Sequence, residues 1–368
     1  MKFYLTLFLA SCMLIFSCES KKSAETQEEL TPKPTIRMLT NYSGINDKSF
    51  NAMSWKGIQE FYNDTGKNLL KGKYYDFVPC SGEEVYVPTL RKLSEEGYTV
   101  ILVPASNFVN AVIEVASEYP NQFFALFDMA AIDLPNVVQF TFAEEEGSFL
   151  VGMVAAMQAK LDGVDSPQFG FIGGIPGSII TRFEMGYIQG IKSIYPDAVI
   201  HDFYANDWAK PELAKEQAKA WFDSGVYAIF SAAGSTGNGT IAQAKEYRQQ
   251  GKNVWAIGVD CDQFEDGLYD DTNSAVLTSM VKRVDTAAQM LLRDCKDFSL
   301  DLPRETYLGL AQQGMDYSIA NPLLHKEIIE AVNVKKQEII SGKQKIYKTY
   351  AQALSAGIAP QGLKAIDD

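Results

Sequence analysis

Two aspartates in the stretch "IGVDCDQFEDG" are the side chains of this sequence best placed to do chemistry. Asp260 and Asp262 follow directly after an apolar run that is typical of a buried strand. Paired carboxylates could bind a metal ion or exchange protons with a substrate. Alternatively, one carboxylate could accept hydrogen bonds from the two neighbouring hydroxyls of a ribose. Asp262 suits a helix cap, so Asp260, at the end of the strand, is the better candidate for a ligand contact.

Other groups that could do catalysis are scarce. The chain has only two histidines; we expect His325 to be solvated in a late helix and His201 to be structural. No HExxH, GxSxG or P-loop sequence is present. The turns "GFIGGIPG" and "AAGSTGNGT" lack the spacing of a dinucleotide fingerprint. Both could be tight turns, and "AAGSTGNGT" could instead be a helix N-terminus that meets a ligand oxygen. We therefore predict no catalytic residues, no metal site and no cofactor.

An aromatic residue and a lysine stand in unexpected places. Phe50 is a large apolar ring inside the polar turn "NDKSFN", at the mouth of a possible cleft, where it could stack on a flat ligand. Lys282 follows "VLTSM", and we expect it to begin a helix. A buried lysine needs an anion, and Asp260 could be that partner.

The elements that must position these residues alternate regularly between strand and helix. Apolar strands such as "TVILVP" are followed by amphipathic helices such as "NFVNAVIEVASEYP" in two successive runs. This alternation predicts two doubly wound α/β lobes with parallel sheets. Ligands bind beyond the carboxyl ends of such strands. We therefore expect a cleft faced by the turns at 41–51, 104–108, 128–132, 173–178, 204–209, 232–239 and 260–264.

Length and charge fit this arrangement. A chain of 368 residues is longer than one ordinary core holds, so two domains are expected. The net charge of −13 argues against nucleic acid as a partner, because binding to a polyanion normally requires a basic surface.

The N-terminus resembles a bacterial export signal. "MKFYLTLFLASCMLIFSC" has one early lysine and then an apolar run too short for a comfortable membrane span. We predict a signal peptide over residues 1–17, lipidation of Cys18, and a polar tether over 18–34. Cys12, in "LASC", is an alternative lipidation site, and a plain signal or anchor is another. The later cysteines form no disulfide or zinc pattern.

Six motifs, in this order, resemble the basic membrane protein family of substrate-binding lipoproteins of ABC transporters. They are "GINDKSFNAMSWKGI", "EEGSFLVGMVAA", "FGFIGG…FEMGYIQG", "AAGSTGNG", "VWAIGVDCDQ" and "VLTSMVKR". The resemblance covers about residues 35–340 and is greatest to the purine nucleoside receptors of spirochaetes. It implies a type I periplasmic binding protein fold, in which three crossovers join two lobes around a ligand. It also implies binding without chemistry.

The resemblance implies roles for residues in the cleft. Phe50 would form one wall of an aromatic sandwich around the base, and Trp208 replaces a phenylalanine at the other wall. Asp260 would hold the ribose hydroxyls, with Lys282 beside them. The remaining residues implied near the ligand are Gly234 and Gly237, through their backbone, with Asn51 and Asp128.

This sequence departs from the family at the end of the first strand. Asn41 stands where the receptor has an aspartate that faces the base, and Asn46 replaces an aspartate common in the following motif. An amide is a mixed donor and acceptor, whereas a carboxylate is an acceptor only. The preference among adenosine, guanosine and inosine is therefore open.

Together these observations predict a lipid-anchored protein, facing the periplasm or cell exterior, that delivers purine nucleosides to a permease and ATPase. Lobe 1 is expected over 35–141 plus about 275–310, lobe 2 over 142–274 plus about 311–345, and a tail over 346–368. Alternatives are a flavin- or sugar-binding protein, a nucleoside-processing enzyme, and an adhesin or sensor on the same scaffold.

Overall fold

The computed structural model describes residues 33–63, 70–104, 106–295 and 303–367. The predicted signal peptide, both candidate lipidation sites at Cys12 and Cys18, and the tether up to residue 32 lie outside the described residues. None of the helices in the described part combines the length and the apolar character that a membrane span requires.

The strands and helices alternate along most of the chain, as the sequence predicts. The strands are β1 (Ile36–Thr40), β2 (Tyr75–Pro79), β3 (Val100–Val103), β4 (Phe123–Phe127), β5 (Val137–Phe142), β6 (Gln168–Gly173), β7 (Val199–Tyr204), β8 (Val226–Ala232), β9 (Trp255–Asp260), β10 (Val276–Lys282), β11 (Glu305–Leu308) and β12 (Met315–Tyr317). The helices are α1 (Phe50–Phe61), α2 (Tyr86–Glu96), α3 (Val109–Glu118), α4 (Glu144–Leu161), α5 (Ser178–Lys192), α6 (Pro211–Asp223), α7 (Asn238–Gln249), α8 (Val284–Asp294), α9 (Lys326–Ile340) and α10 (Tyr350–Ser355).

These strands form two six-stranded sheets. The first has the order β11-β5-β4-β3-β1-β2 and is parallel throughout. The second has the order β12-β10-β9-β8-β6-β7, with β12 antiparallel at its edge. Strands β3 and β8 are buried along their whole length, as expected where helices cover both faces of a parallel sheet. The prediction of two doubly wound lobes is confirmed.

The chain crosses between the lobes at three places: at residue 143 between β5 and α4, at 283 between β10 and α8, and at 309–314 between β11 and β12. One boundary differs from the predicted division, which assigned residues 275–310 to lobe 1. Strand β10 lies in the second sheet because it pairs with β9, and only α8, packed on α1, returns to the first lobe.

Helices α4 and α5 pack unusually closely beside these crossings. Added Cβ atoms at Gly152, Gly186 and Gly190 would each meet a backbone carbonyl oxygen of the facing helix well inside van der Waals contact. The glycines therefore let the two backbones touch. This contact fixes the start of α4, which lies directly after the first crossing.

Candidate ligand-binding site

A cavity of about 370 Å³ lies between the carboxyl edges of the two sheets. This volume falls within the range of about 300–1,000 Å³ that is usual for small-molecule sites. The predicted site residues that line it are Asn41, Phe50, Asn51, Asp128, Trp208, Gly234, Asp260 and Lys282. Gly237 does not line it; it lies in a short turn against Ser231.

Two aspartates lie at strand ends in this cavity. Asp128 follows β4 with φ +73°, and Asp260 ends β9 with φ +66°. Aspartate tolerates this left-handed conformation better than most residues because its short polar side chain can hydrogen-bond locally. The Ser49 hydroxyl donates a hydrogen bond to Asp260 Oδ2 from the opposite lobe. The backbone thus turns each carboxylate toward the space between the lobes.

Lys282 is buried among carboxylates, with only 1% of its side chain exposed. Its Nζ lies 2.6 Å from Asp128 Oδ1 and 2.8 Å from Glu144 Oε1. These two acids, rather than Asp260, are therefore its ion-pair partners. Lys282 also ends strand β10 instead of beginning a helix, because β12 and β9 hold this segment in the sheet.

Aromatic rings surround the same ammonium group. Lys282 Nζ lies 5.1 Å from the ring centroid of Phe50, 4.8 Å from that of Phe142 and 5.3 Å from that of Phe183. A cation at this distance is attracted to the ring faces, and more strongly where water is excluded. Phe50 is thus in contact with the cavity on one side and with the charged cluster on another.

Trp208 enters the cavity from the second lobe. Its ring lies directly over Gly174, where any side chain would collide with it. Its carbonyl oxygen accepts hydrogen bonds from Thr236 N at 3.1 Å and Ser235 Oγ at 3.0 Å. The turn that contains Gly234 therefore holds Trp208 in place. The Trp208 and Phe50 rings line one cavity from opposite lobes.

The start of α1 is organised by side chains from the preceding turn. Asp47 accepts hydrogen bonds from the backbone N–H groups of Asn51 and Ala52, each at 2.9 Å, and so caps the helix. Asn41 Oδ1 accepts from Ser43 N at 3.1 Å and from Asn51 Nδ2 at 3.3 Å. Asn46 is exposed and does not line the cavity.

The turn at residues 42–49 bonds directly to the second lobe. The Tyr42 hydroxyl donates to Asp207, and Lys48 Nζ lies 2.5 Å from Asp266 Oδ1. Gln263 Nε2 donates to the Lys48 carbonyl oxygen at 3.0 Å. We call this segment the latch turn. Its bonds describe a closed arrangement of the lobes.

Burial shifts the protonation of the cavity acids. Burial raises the pKa of Asp260 to about 6, although Lys282 and the Ser49 hydroxyl act in the opposite direction. The pKa of Asp128 is also raised to about 6, by burial and by Glu144, against the influence of Lys282. Burial lowers the pKa of Lys282, but the three acids around it outweigh burial and raise it. The lysine therefore stays charged.

One lining residue carries no signal in the sequence: Phe183 lies within α5, where its spacing is that of an ordinary core position. Asn107 and Ser235 lie in turns predicted to face the cleft, but their residue types do not single them out. Among the described residues, no group of three or more histidine, cysteine, aspartate or glutamate side chains is arranged to hold a metal ion. His201 lies within β7, with Nε2 2.7 Å from Gln168 Oε1, and is remote from the cavity.

Solved structures share this fold. An ABC transporter solute-binding protein from Aeropyrum pernix K1 matches with a TM-score of 0.75 and 23% identity, over 88% of this chain and 98% of that one. The predicted type I periplasmic binding protein fold is confirmed.

Proteins of similar sequence identify the family to which the chain belongs. The CD4+ T-cell-stimulating antigen of Listeria monocytogenes serovar 1/2a is 33% identical over 93% of this chain and 96% of its own length. The ABC transporter nucleoside-binding protein BmpA of Lactococcus lactis subsp. cremoris is 30% identical over 91% of this chain and 95% of its own. A model of the family described as "ABC transporter substrate-binding protein PnrA-like" matches residues 35–350. The chain therefore belongs to this Bmp family of extracytoplasmic substrate-binding proteins, which bind their ligands without catalysis.

Proposed function

We propose that this substrate-binding protein captures purine nucleosides and delivers them to an ABC importer. The observation that carries the proposal is that aromatic rings from both lobes and a buried strand-end aspartate line one cavity. Aromatic rings stack well on a flat heterocycle, and a carboxylate accepts strong hydrogen bonds from two neighbouring hydroxyls. The nucleoside-binding BmpA of Lactococcus lactis, which is similar over almost the whole chain, adds support.

In this mechanism the base stacks between Phe50 and Trp208, and Asp260 accepts hydrogen bonds from the ribose. Stacking contributes about 1–3 kcal/mol per ring, and hydrogen bonds to a charged group about 1.5–3 kcal/mol each. The backbone of Gly234 lies beside the sugar, and Asn41 and Asn51 lie beside the base. Closure of the lobes would exclude water from these contacts.

Calorimetry of the full-length protein in detergent tests the proposal. The titrants are adenosine, guanosine, inosine, uridine, adenine, ribose and riboflavin. We expect micromolar or tighter binding of a purine nucleoside, and much weaker binding of adenine and of ribose. Binding of riboflavin or ribose alone would contradict the proposal. Release of free base during prolonged incubation would instead indicate a nucleoside-processing enzyme.

The proposal includes a lipid anchor at Cys18, which would keep the protein at the membrane beside its permease and ATPase. Its support is the apolar run that ends at Ser17 and the polar segment that follows. Cys18→Ala should release the protein from the membrane fraction and abolish palmitate labelling. Labelling that persists in Cys18→Ala but is lost in Cys12→Ala would assign the anchor to Cys12.

A further inference from the structure

Glu144 is the most deeply buried acid of the charged cluster and does not itself line the cavity. Its side chain is 0% exposed, at the first position of α4 directly after the first lobe crossing. Glu144 Oε1 lies 2.8 Å from Lys282 Nζ, and Oε2 lies 2.7 Å from Arg182 Nε. Both carboxylate oxygens are therefore occupied by cations, and one of these cations lines the cavity.

The geometry of Lys282 explains what this contact achieves. An ammonium group has three N–H donors. One of them is donated to Glu144 Oε1 at 2.8 Å. Asp128 Oδ1 lies 2.6 Å away as an ion-pair partner, outside hydrogen-bond geometry, and the rings of Phe50, Phe142 and Phe183 enclose the nitrogen. The remaining donors belong to a residue that lines the cavity. The bond to Glu144 therefore anchors the ammonium group and limits where these donors can point.

We infer that Glu144 is a positioning residue of the ligand site: it holds the Lys282 ammonium so that one of the remaining N–H groups donates to an oxygen of the bound ligand. The inference rests on the proposed nucleoside function, in which that oxygen belongs to the ribose beside Asp260. Glu144 never touches the ligand. It acts through Lys282, and Arg182 holds it from the other side.

The alternative is that Glu144 merely stabilises the fold as half of a buried ion pair. Its two neighbours provide matched controls for this alternative. Glu145 is equally buried in the same helical turn, but its Oε1 lies 3.1 Å from Lys348 Nζ. Glu146 Oε2 accepts a hydrogen bond from Leu310 N at 2.8 Å. Neither has a contact with Lys282, so a purely structural loss should be reproduced at these positions.

The effect of the Glu144 charge on neighbouring acids gives a second test that distinguishes a positioning role from a purely structural one. The charged groups facing the cluster are Asp128 after β4, Lys282 at the end of β10, Arg182 on α5 and Asp260 at the end of β9. Asp47 before α1 also acts on Asp260, and Glu145 on α4 acts on Arg182. The negative charge of Glu144 raises the pKa of Asp128. Removing that charge should lower this pKa. The part of the acid limit of ligand binding that Asp128 sets, beside the part set by Asp260, should then move to lower pH.

The experiment compares Glu144→Gln, Glu144→Asp, Glu145→Gln and Glu146→Gln in the full-length protein. Dissociation constants are measured for inosine and for its 2′-, 3′- and 5′-deoxy analogues between pH 5 and 8. We expect Glu144→Gln to weaken inosine binding about 10- to 100-fold, the loss typical of one hydrogen bond to a charged group. The loss should be much smaller for the analogue that lacks the oxygen contacted by Lys282. Glu144→Asp should recover part of the affinity, and the two control variants should bind within a few-fold of wild type.

Equal losses in Glu144→Gln and Glu145→Gln for every analogue, with an unchanged pH midpoint, would overturn the inference. Wild-type protein that binds none of the nucleosides would instead reject the proposed function, and this inference with it. NMR of wild-type protein labelled with 15N-lysine needs no variant to fold. There the Lys282 15Nζ resonance should shift on addition of inosine, and a resonance that does not move would overturn the inference independently.

Discussion

Asp260 is buried, yet the role proposed for it is best filled by a negatively charged carboxylate. Only 6% of the residue is exposed, and its pKa is raised to about 6. An aspartate accepts hydrogen bonds from two hydroxyls far better when it is ionised, because a carboxylate only accepts and its charge strengthens each bond. Its protonation therefore competes with ligand binding in a pH range where most surface aspartates stay charged.

Nucleoside affinity should be complete above about pH 7 and should fall as the pH drops through about 6. The ligand-free protein should respond in the opposite sense. The folded pKa of Asp260 lies above its unfolded value, so this group's contribution to the free energy of unfolding increases as the pH falls from about 6 to 4. Calorimetric dissociation constants between pH 5 and 8 measure the first effect. Asp260→Asn should remove the contribution of this residue to the profile, and a wild-type profile that is already flat would contradict the prediction.

Phe50→Ala should weaken nucleoside binding about 5- to 150-fold, because one stacking wall worth about 1–3 kcal/mol is lost. The matched control is Phe61→Ala, at the other end of α1 and away from the cavity. Fluorescence or calorimetric titration measures both variants. Equal affinities for Phe50→Ala and wild type would remove this ring from the site.

The sequence alone identifies some residues of the site and not others. Asp260 and Phe50 stand out because a carboxylate at a strand end and a ring in a polar turn each conflict with their surroundings. Glu144 does not stand out, since glutamates are common in the first turn of a helix, where they favour the helix dipole. Its burial and its two cationic partners depend on residues 182 and 282, which only the tertiary structure brings together.

At the scale of elements, the strand–helix alternation carried most of the predictive information. All seven turns expected to face a cleft contribute residues to the cavity lining, because the carboxyl ends of parallel strands share one edge. The end of β10 was predicted incorrectly as the start of a helix. Local sequence does not show that the chain remains in the sheet through Lys282, since this depends on pairing with β12.

The contact between α4 and α5 should be sensitive to the addition of a single methyl group. At Gly190 an added methyl group would collide with the Phe149 carbonyl oxygen and lie 2.8 Å from Met153 N. Gly190→Ala should therefore lower the free energy of unfolding by about 1–3 kcal/mol or more. Denaturant unfolding measures the loss. Lys160→Ala, exposed on α4, should be nearly neutral, and an equally small effect at residue 190 would show that the helices can separate without cost.

At the scale of the whole molecule, the latch turn joins the two lobes through side-chain hydrogen bonds. Tyr42 is 52% exposed, and its hydroxyl bonds to Asp207 across the cavity mouth. Burial and Asp207 raise the pKa of Tyr42 to about 12, so it remains a donor at any physiological pH. The latch turn should therefore affect how long a ligand stays bound.

Tyr42→Phe should speed ligand release about 2- to 12-fold, equivalent to one hydrogen bond of about 0.5–1.5 kcal/mol, and leave association unchanged. Stopped-flow tryptophan fluorescence, to which Trp208 in the cavity contributes, would follow both rates. Tyr98→Phe is the matched control, because its hydroxyl bonds to Glu96 within the first lobe. A slower association rate with unchanged release would contradict a role in holding the closed form.

The three crossings also govern how this chain can be made. Each sheet receives its last strand only near the end of the sequence, β11 at Glu305–Leu308 and β12 at Met315–Tyr317. A growing polypeptide therefore cannot complete either sheet until more than four-fifths of it has been synthesised. No single cut of the gene yields an intact half. Two fragments of the protein must therefore be expressed together, and they must associate before either one can fold completely.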